Sequence, residues 1–188
     1  IPTSLEAVML TCIIDAKEHR DIAITDNPNT LITADMEGDS VYMKLRGKVA
    51  ELLVRTAPEL YRKYVSYDKG NCTLYVEALK AIYGTLTAAL LYYKKWVKDI
   101  KSIGFVVNPY DPCVANKDVG GKQFTLVWHV DDVKMSHEDP AEVDKFVDWL
   151  CGIYESEDIG KLKVSRGKVH NYLGMVLDFT SPGEAKIN

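Results

Sequence analysis

"LVWHVDDVKMSH", residues 126–137, is the stretch on which the reading of this chain turns. Two adjacent acids, Asp131 and Asp132, stand between two apolar runs. Before them Phe124, Leu126 and Trp128 alternate with Thr125, Val127 and His129. After them Val133 and Met135 alternate with Lys134 and Ser136. A period of two marks strands, so the simplest structure is strand–turn–strand with the aspartates at the tip. Two neighbouring carboxylates repel each other, and a bound divalent cation relieves that repulsion. Hard oxygen ligands suit Mg²⁺, or Mn²⁺ in its place. Two such ions ~4 Å apart drive in-line phosphoryl displacement, one activating the attacking hydroxyl and the other steadying the pyrophosphate that leaves. Such a site needs one more carboxylate from a neighbouring strand. Asp26, which ends "DIAITD" (21–26), is the candidate if that strand lies beside the hairpin. The bland alternative is a solvated turn, since Asp is a favoured turn residue.

Outward from the hairpin, residues 3–19 read as a helix. Thr3 and Glu6 have capping-box spacing, and Leu5, Val8, Met9, Cys12 and Ala16 recur at helical intervals. "SVYMKL" (40–45) and "CTLYV" (72–76) are strand-like, and residues 48–64 are helical in pattern with Pro58 interrupting them. A second helix covers 85–102 and ends before Gly104. "KDVGGK" (117–122) reads as a hairpin loop. A third helix spans 140–156, with Asp139 as cap and Pro140 at its first position. Its apolar stripe is Val143, Phe146, Val147, Leu150, Cys151 and Tyr154. Two strands, near 161–168 and 171–179, close the chain. Helices and strands mix without strict βαβ alternation, which predicts an α+β fold.

The 188 residues suffice for one domain with a core, and 47% hydrophobic and 27% charged residues are ordinary for a globular chain. No apolar run approaches the ~20 residues of a membrane span, and no signal peptide is visible. Cys12, Cys72, Cys113 and Cys151 are far apart without a CxxC pair, which argues against zinc and for the reduced, mostly buried thiols of an intracellular protein. A net charge of −4 is not that of a dedicated nucleic-acid binder, so local clusters must carry any such contact. Lys94, Lys98 and Lys101 share a helix face, and Lys161, Lys163, Arg166 and Lys168 gather in the late hairpin. Each cluster reads either as a phosphate contact or as a solvated face. Tyr92, Tyr93 and Trp96 could stack on bases, but large aromatics on a helix are more often core.

Several segments, in order, resemble the reverse transcriptases of copia-type retrotransposons. "HVDDV" (129–133) resembles their YVDD box, and "TSLEAVMLTCIIDAKEHRDIAITD" (3–26) their helix and first catalytic strand. "ADMEGDSVYMKL" (34–45) resembles "NGDLEEEVYMEQP", and "EALKAIYG" (77–84) resembles "KLKKALYG". "SIGFVVNPYDPCVA" (102–115) resembles "SLGFKRSKSDPCLY", and "NYLGMVLDF" (171–179) resembles "FLGIEI".

The resemblance implies a polymerase palm, an antiparallel sheet with helices packed on one face, forming a single domain over 1–188 with partial fingers. The fingers hairpin would precede Ile1, and thumb and RNase H would follow Asn188. Asp26, Asp131 and Asp132 would be the catalytic, metal-binding acids. Gly84 would sit in the loop before the helix that faces template and nucleotide. Leu31 stands in place of the aromatic residue under the sugar, Thr87 in place of a nucleotide-contacting Gln, Leu90 in place of an Arg, and His129 in place of Tyr or Phe. Lys94 and Lys98 would lie near the template. Lys163 and Arg166 would lie near the primer, with Tyr172, Leu173 and Gly174 in the turn that holds its end. The implied activity is that of an RNA-directed DNA polymerase using Mg²⁺ or Mn²⁺. Its partners would be an RNA or DNA template with primer, dNTP, and the integrase and RNase H of the same polyprotein. The implied location is the cytoplasm, a virus-like particle or the nucleus. The altered pocket residues motivate a rival, a degenerate, non-catalytic palm kept as a binding or structural module. A second rival, an unrelated α+β protein with a chance acid pair, predicts Asp26 and Asp131 more than ~10 Å apart, too far to share one Mg²⁺.

Overall fold

A computed structural model describes residues 3–26, 30–38, 40–82, 87–156 and 160–188. The chain is mixed α+β, and the three sheets among the described residues are antiparallel throughout. Helix α1 (Leu5–Lys17) leads into β1 (Asp21–Asp26) and a 3₁₀ turn (Thr30–Thr33). Then come β2 (Tyr42–Arg46), α2 (Lys48–Thr56), α3 (Pro58–Tyr61), β3 (Ser66–Asp68) and β4 (Asn71–Glu77). The second half holds α4 (Ala88–Ser102), β5 (Val106–Val107), β6 (Val114–Val119), β7 (Lys122–His129), β8 (Asp132–His137) and α5 (Pro140–Tyr154). Strands β9 (Lys163–Arg166), β10 (Val169–Tyr172), β11 (Met175–Asp178) and β12 (Lys186–Ile187) finish it. Among the described residues no helix is long and apolar enough to cross a membrane, and the four cysteines are free, three of them buried.

The main sheet runs β5-β6-β7-β8-β1-β9. Alternation gives it two faces. Ala23, Leu126, Trp128, Val133 and Met135 meet Trp96 and Ile100 of α4 and Phe146, Leu150 and Tyr154 of α5. Trp96 and Trp128 pack edge to face at 5.9 Å, so Trp96 and Tyr92 are core, while Tyr93 is half-buried with its hydroxyl donating to the Pro112 carbonyl. The opposite face, with Ile22, Ile24 and Val127, meets Val8, Cys12 and Ala16 of α1 and Tyr172 and Leu177 of the small β10-β11-β12 sheet. The expectation of helices on one face therefore holds for α4 and α5 but not for α1. The reason lies in β8: Lys134 points away from the aromatic core, and its ammonium is buried against Asp15 and Thr11 of α1. A third sheet, β2-β4-β3, closes with α2 over Ala50, Cys72 and Leu74.

Local signals explain most boundaries. Asp139 accepts from the Ala141 amide and Pro140 opens α5, as the sequence suggests. At α1 the cap is Ser4, which accepts from Ala7, one residue later than the expected Thr3–Glu6 box. Ser4 is held in turn by Asp111 at 2.9 Å, a contact invisible to local pattern. Gly120 (φ 62°) and Gly121 (φ 80°) join β6 to β7, the positive-φ pair that a two-residue hairpin turn requires.

Candidate active site at the end of the main sheet

Three strand pairings build the site. β1 pairs with β8 so that Asp26 lies directly opposite Asp132. β7 pairs with β8 so that His129 lies opposite the same Asp132. β9 pairs with β1 so that Lys163 lies opposite Asp26. Directly opposite residues share a face. Lys163, Asp26, Asp132 and His129 therefore form one row across four strands, on the α1 side of the sheet. Opposed Cα atoms in an antiparallel pair are ~5.5 Å apart at most, and Asp131 is one residue further on. The Cα atoms of Asp26 and Asp131 are thus within about 9 Å of each other. That is inside the limit set by the chance-acid reading.

The tip is tight. His129 and Asp132 are paired, so only Val130 and Asp131 make the turn. Val130 has φ 54°, a left-handed backbone that a β-branched side chain adopts at a cost of ~1–3 kcal/mol. Sequence reading missed this residue. The available signal was a two-residue turn without Gly or Asn between two strongly alternating strands.

The acids feel one another. Burial pushes the Asp132 carboxyl above its ordinary range, and the charges of Asp131 and Asp26 push it further, while His129 pulls it back. Asp26 is balanced from the other side, because its Oδ2 accepts from Lys163 Nζ at 3.1 Å. Three carboxylates at one sheet end are hard oxygen donors, the ligand type that Mg²⁺ and Mn²⁺ take. Among the described residues no three acid, His or Cys side chains already converge as a metal cage.

Tyr172 backs the hairpin. Its ring is buried and its hydroxyl donates to the Val127 carbonyl at 3.1 Å. Burial pushes its phenol far above the usual range, with the Asp132 charge adding to it. Leu173 (φ 50°) and Gly174 (φ 80°) then form a two-residue turn into β11. Tyr172 can position this turn but offers no open face, whereas Gly174 is exposed.

The other candidates are dispersed. Leu31 is 5% exposed and packs in the main core, so its side chain is turned away from any sugar above the acids. Thr87 is exposed and precedes α4 without a capping bond. Gly84 lies outside the described residues. Lys94 sits 3.7 Å from Glu37, and Lys94 and Lys98 line a groove shared with Asp35, Glu37 and Asp99, whose charges offset theirs. Arg166 binds Asp21 at 2.6 Å and Asp144 at 3.0 Å, tying β9 to β1 and α5, so it is engaged in the fold. No family model, curated protein or solved structure matches the chain.

Proposed function

We propose that this chain is the palm region of a copia-type reverse transcriptase, a nucleotidyltransferase that extends a primer from dNTP on an RNA or DNA template. The observation that carries the reading is the strand register that sets Asp26 opposite Asp132, one residue from Asp131. It brings together acids 106 positions apart in sequence, the set that the chemistry of phosphoryl transfer asks for. Asp26, Asp131 and Asp132 would hold Mg²⁺ or Mn²⁺, which when bound supplies positive charge to the phosphates and to the attacking hydroxyl. The chain's own residues set the conditions. The tight Val130–Asp131 turn fixes the acid pair, Tyr172 braces the strand beneath it, and Lys163 shares the Asp26 carboxylate with any incoming cation.

The test is a calorimetric titration with Mn²⁺ or Mg²⁺ of the chain and of Asp131→Asn, followed by primer extension. Saturable binding that disappears in Asp131→Asn is expected, and binding that survives the substitution sinks the reading. The second reading, a palm that keeps the fold as a nucleic-acid-binding or structural module, is favoured by the Lys163–Asp26 pair and the inward Leu31. It predicts that primer–template binding is the same in EDTA as in Mg²⁺, with no extension.

A further inference from the structure

Helix α1 is apolar on two sides. Val8, Cys12 and Ala16 face the sheet. Leu10 and Ile13, on the far side, are 59% and 52% exposed, and Met9 and Leu5 beside them are 41% and 52% exposed. A helix that is hydrophobic all round normally has both sides covered. The outermost line of α1 is Glu6, Leu10, Ile13 and Lys17, all exposed and spaced four, three and four residues apart. That spacing is the seam of a helix pair, with an acid at the amino end, a base at the carboxyl end and two apolar residues between.

We propose that this face of α1 is a homodimer interface, in which two copies of the chain pack their first helices antiparallel about a two-fold axis. The seam is its own complement. In the register that sets Glu6 against Lys17 of the second copy, Leu10 meets Ile13 and Ile13 meets Leu10. An isologous contact needs such self-complementarity, and this seam has it in both charge and apolar position. The opposed helix dipoles add to the attraction. The four half-exposed apolar side chains amount to roughly 400 Å², within the range of about 300–600 Å² that a monomer's largest apolar patch spans, and such patches are often functional. A standard interface takes about 800 Å² from each partner. The groove beside α1, about 400 Å³ and lined by Leu10, Ile14 and the 95% exposed Tyr110, supplies further apolar surface at the same edge. The dimer is therefore of modest affinity and sensitive to charge. It is independent of the polymerase reading, since none of these residues belongs to the acid row.

Sedimentation equilibrium of the whole chain between about 1 and about 100 μM tests it, the range a smaller-than-standard interface calls for. The native chain is expected to dimerise, and Ile13→Asp to remain monomeric with an unchanged circular dichroism spectrum. Glu6→Lys alone and Lys17→Glu alone should each weaken the dimer by roughly tenfold or more, because each sets like charges together twice. The double reversal Glu6→Lys/Lys17→Glu should restore it. A native chain that is monomeric at the top concentration overturns the proposal. So does a dimer indifferent to Ile13→Asp, or a double reversal no tighter than the single ones.

Discussion

Against α4 and α5 the main sheet presents Leu126, Trp128, Val133 and Met135, and among the described residues no Asp, Glu, Lys or Arg is buried beside them. Against α1 the same strands present Lys134, Ser136 and Thr125, and at their end the row of Asp132, Asp26 and Lys163. One face is held by area and aromatic fit, and its loss on mutation should follow volume. The other adds to its own apolar cluster charges that must be paired one by one, because an unpartnered buried ion costs several kcal/mol. A sheet that must carry acids at one end of a face cannot make that face wholly dry. Here the fold fills the difference with α1 and its polar ties: Asp15 to Lys134, and Arg20 to Glu18 and Thr125.

The contrast is broken most forcefully at Trp96, which is fully buried between Trp128 and Tyr154. Trp96→Ala should cost about 3–5 kcal/mol in urea denaturation. A loss below about 1 kcal/mol would mean that the aromatic face is not what holds α4 to the sheet.

On the other face Lys134→Met alone should cost about 3 kcal/mol, since Asp15 stays buried with the Arg20 guanidinium, 4.0 Å away, as its remaining cation. Lys134→Met combined with Asp15→Leu should recover most of that loss, because two apolar groups of similar size replace the pair. Equal stabilities for the single and the double variant would show that the pair is not coupled. The corresponding test on the aromatic face, Trp96→Ala with Trp128→Ala, should give no such recovery, because each truncation leaves its own cavity.

This asymmetry also separates what the sequence states from what it conceals. The aromatic face is legible: Phe124, Leu126 and Trp128 alternate, α5 carries its stripe, and Asp139–Pro140 marks its start. The acid pair at the hairpin tip is legible for the same reason. The α1 face is not, because its signals are pairings between distant residues. Nothing local says that Lys134 seeks Asp15, 119 residues away, or that Asp111 holds Ser4 and so moves the cap of α1 by one residue. Arg166 looks like a free cation in the sequence and is spent on Asp21 and Asp144. Leu31 looks like a pocket residue by position and packs inward, as a leucine with apolar neighbours will. Asp26 stands out in the sequence only on chemical grounds, as the third acid that a metal site needs. Its pairing with Asp132 depends on a register between strands that no local periodicity encodes.

A finer test addresses the acid row itself. The Asp132 carboxyl is pushed up by burial and by its two acidic neighbours, so the folded state holds its proton more tightly than the unfolded chain does. Stability contributed by this group therefore rises as pH falls through the window just above the ordinary carboxylate pKa, and is lost as pH rises through the folded value. Asp132→Asn should accordingly stabilise the cation-free chain at pH 7, by less than about 1 kcal/mol because solvent screens a partly exposed group. The difference between native and variant should vanish near pH 3. A difference constant with pH would mean that neither burial nor the charges of Asp131 and Asp26 shift the Asp132 carboxyl.

The smallest effect on stability should come from Lys163→Ala. Its ammonium is well exposed, and an exposed ion pair contributes little after screening and side-chain entropy, so the denaturation midpoint should not move measurably. Its effect on cation binding should be the opposite of small. Lys163 Nζ occupies Asp26 Oδ2, and a divalent ion that uses Asp26 must compete with it. Removing the competitor should tighten Mn²⁺ binding, read by calorimetry, and the gain should disappear when Asp131→Asn is added. If Lys163→Ala leaves Mn²⁺ binding unchanged, Asp26 is not among the ligands, and its place opposite Asp132 serves only the pairing of the strands.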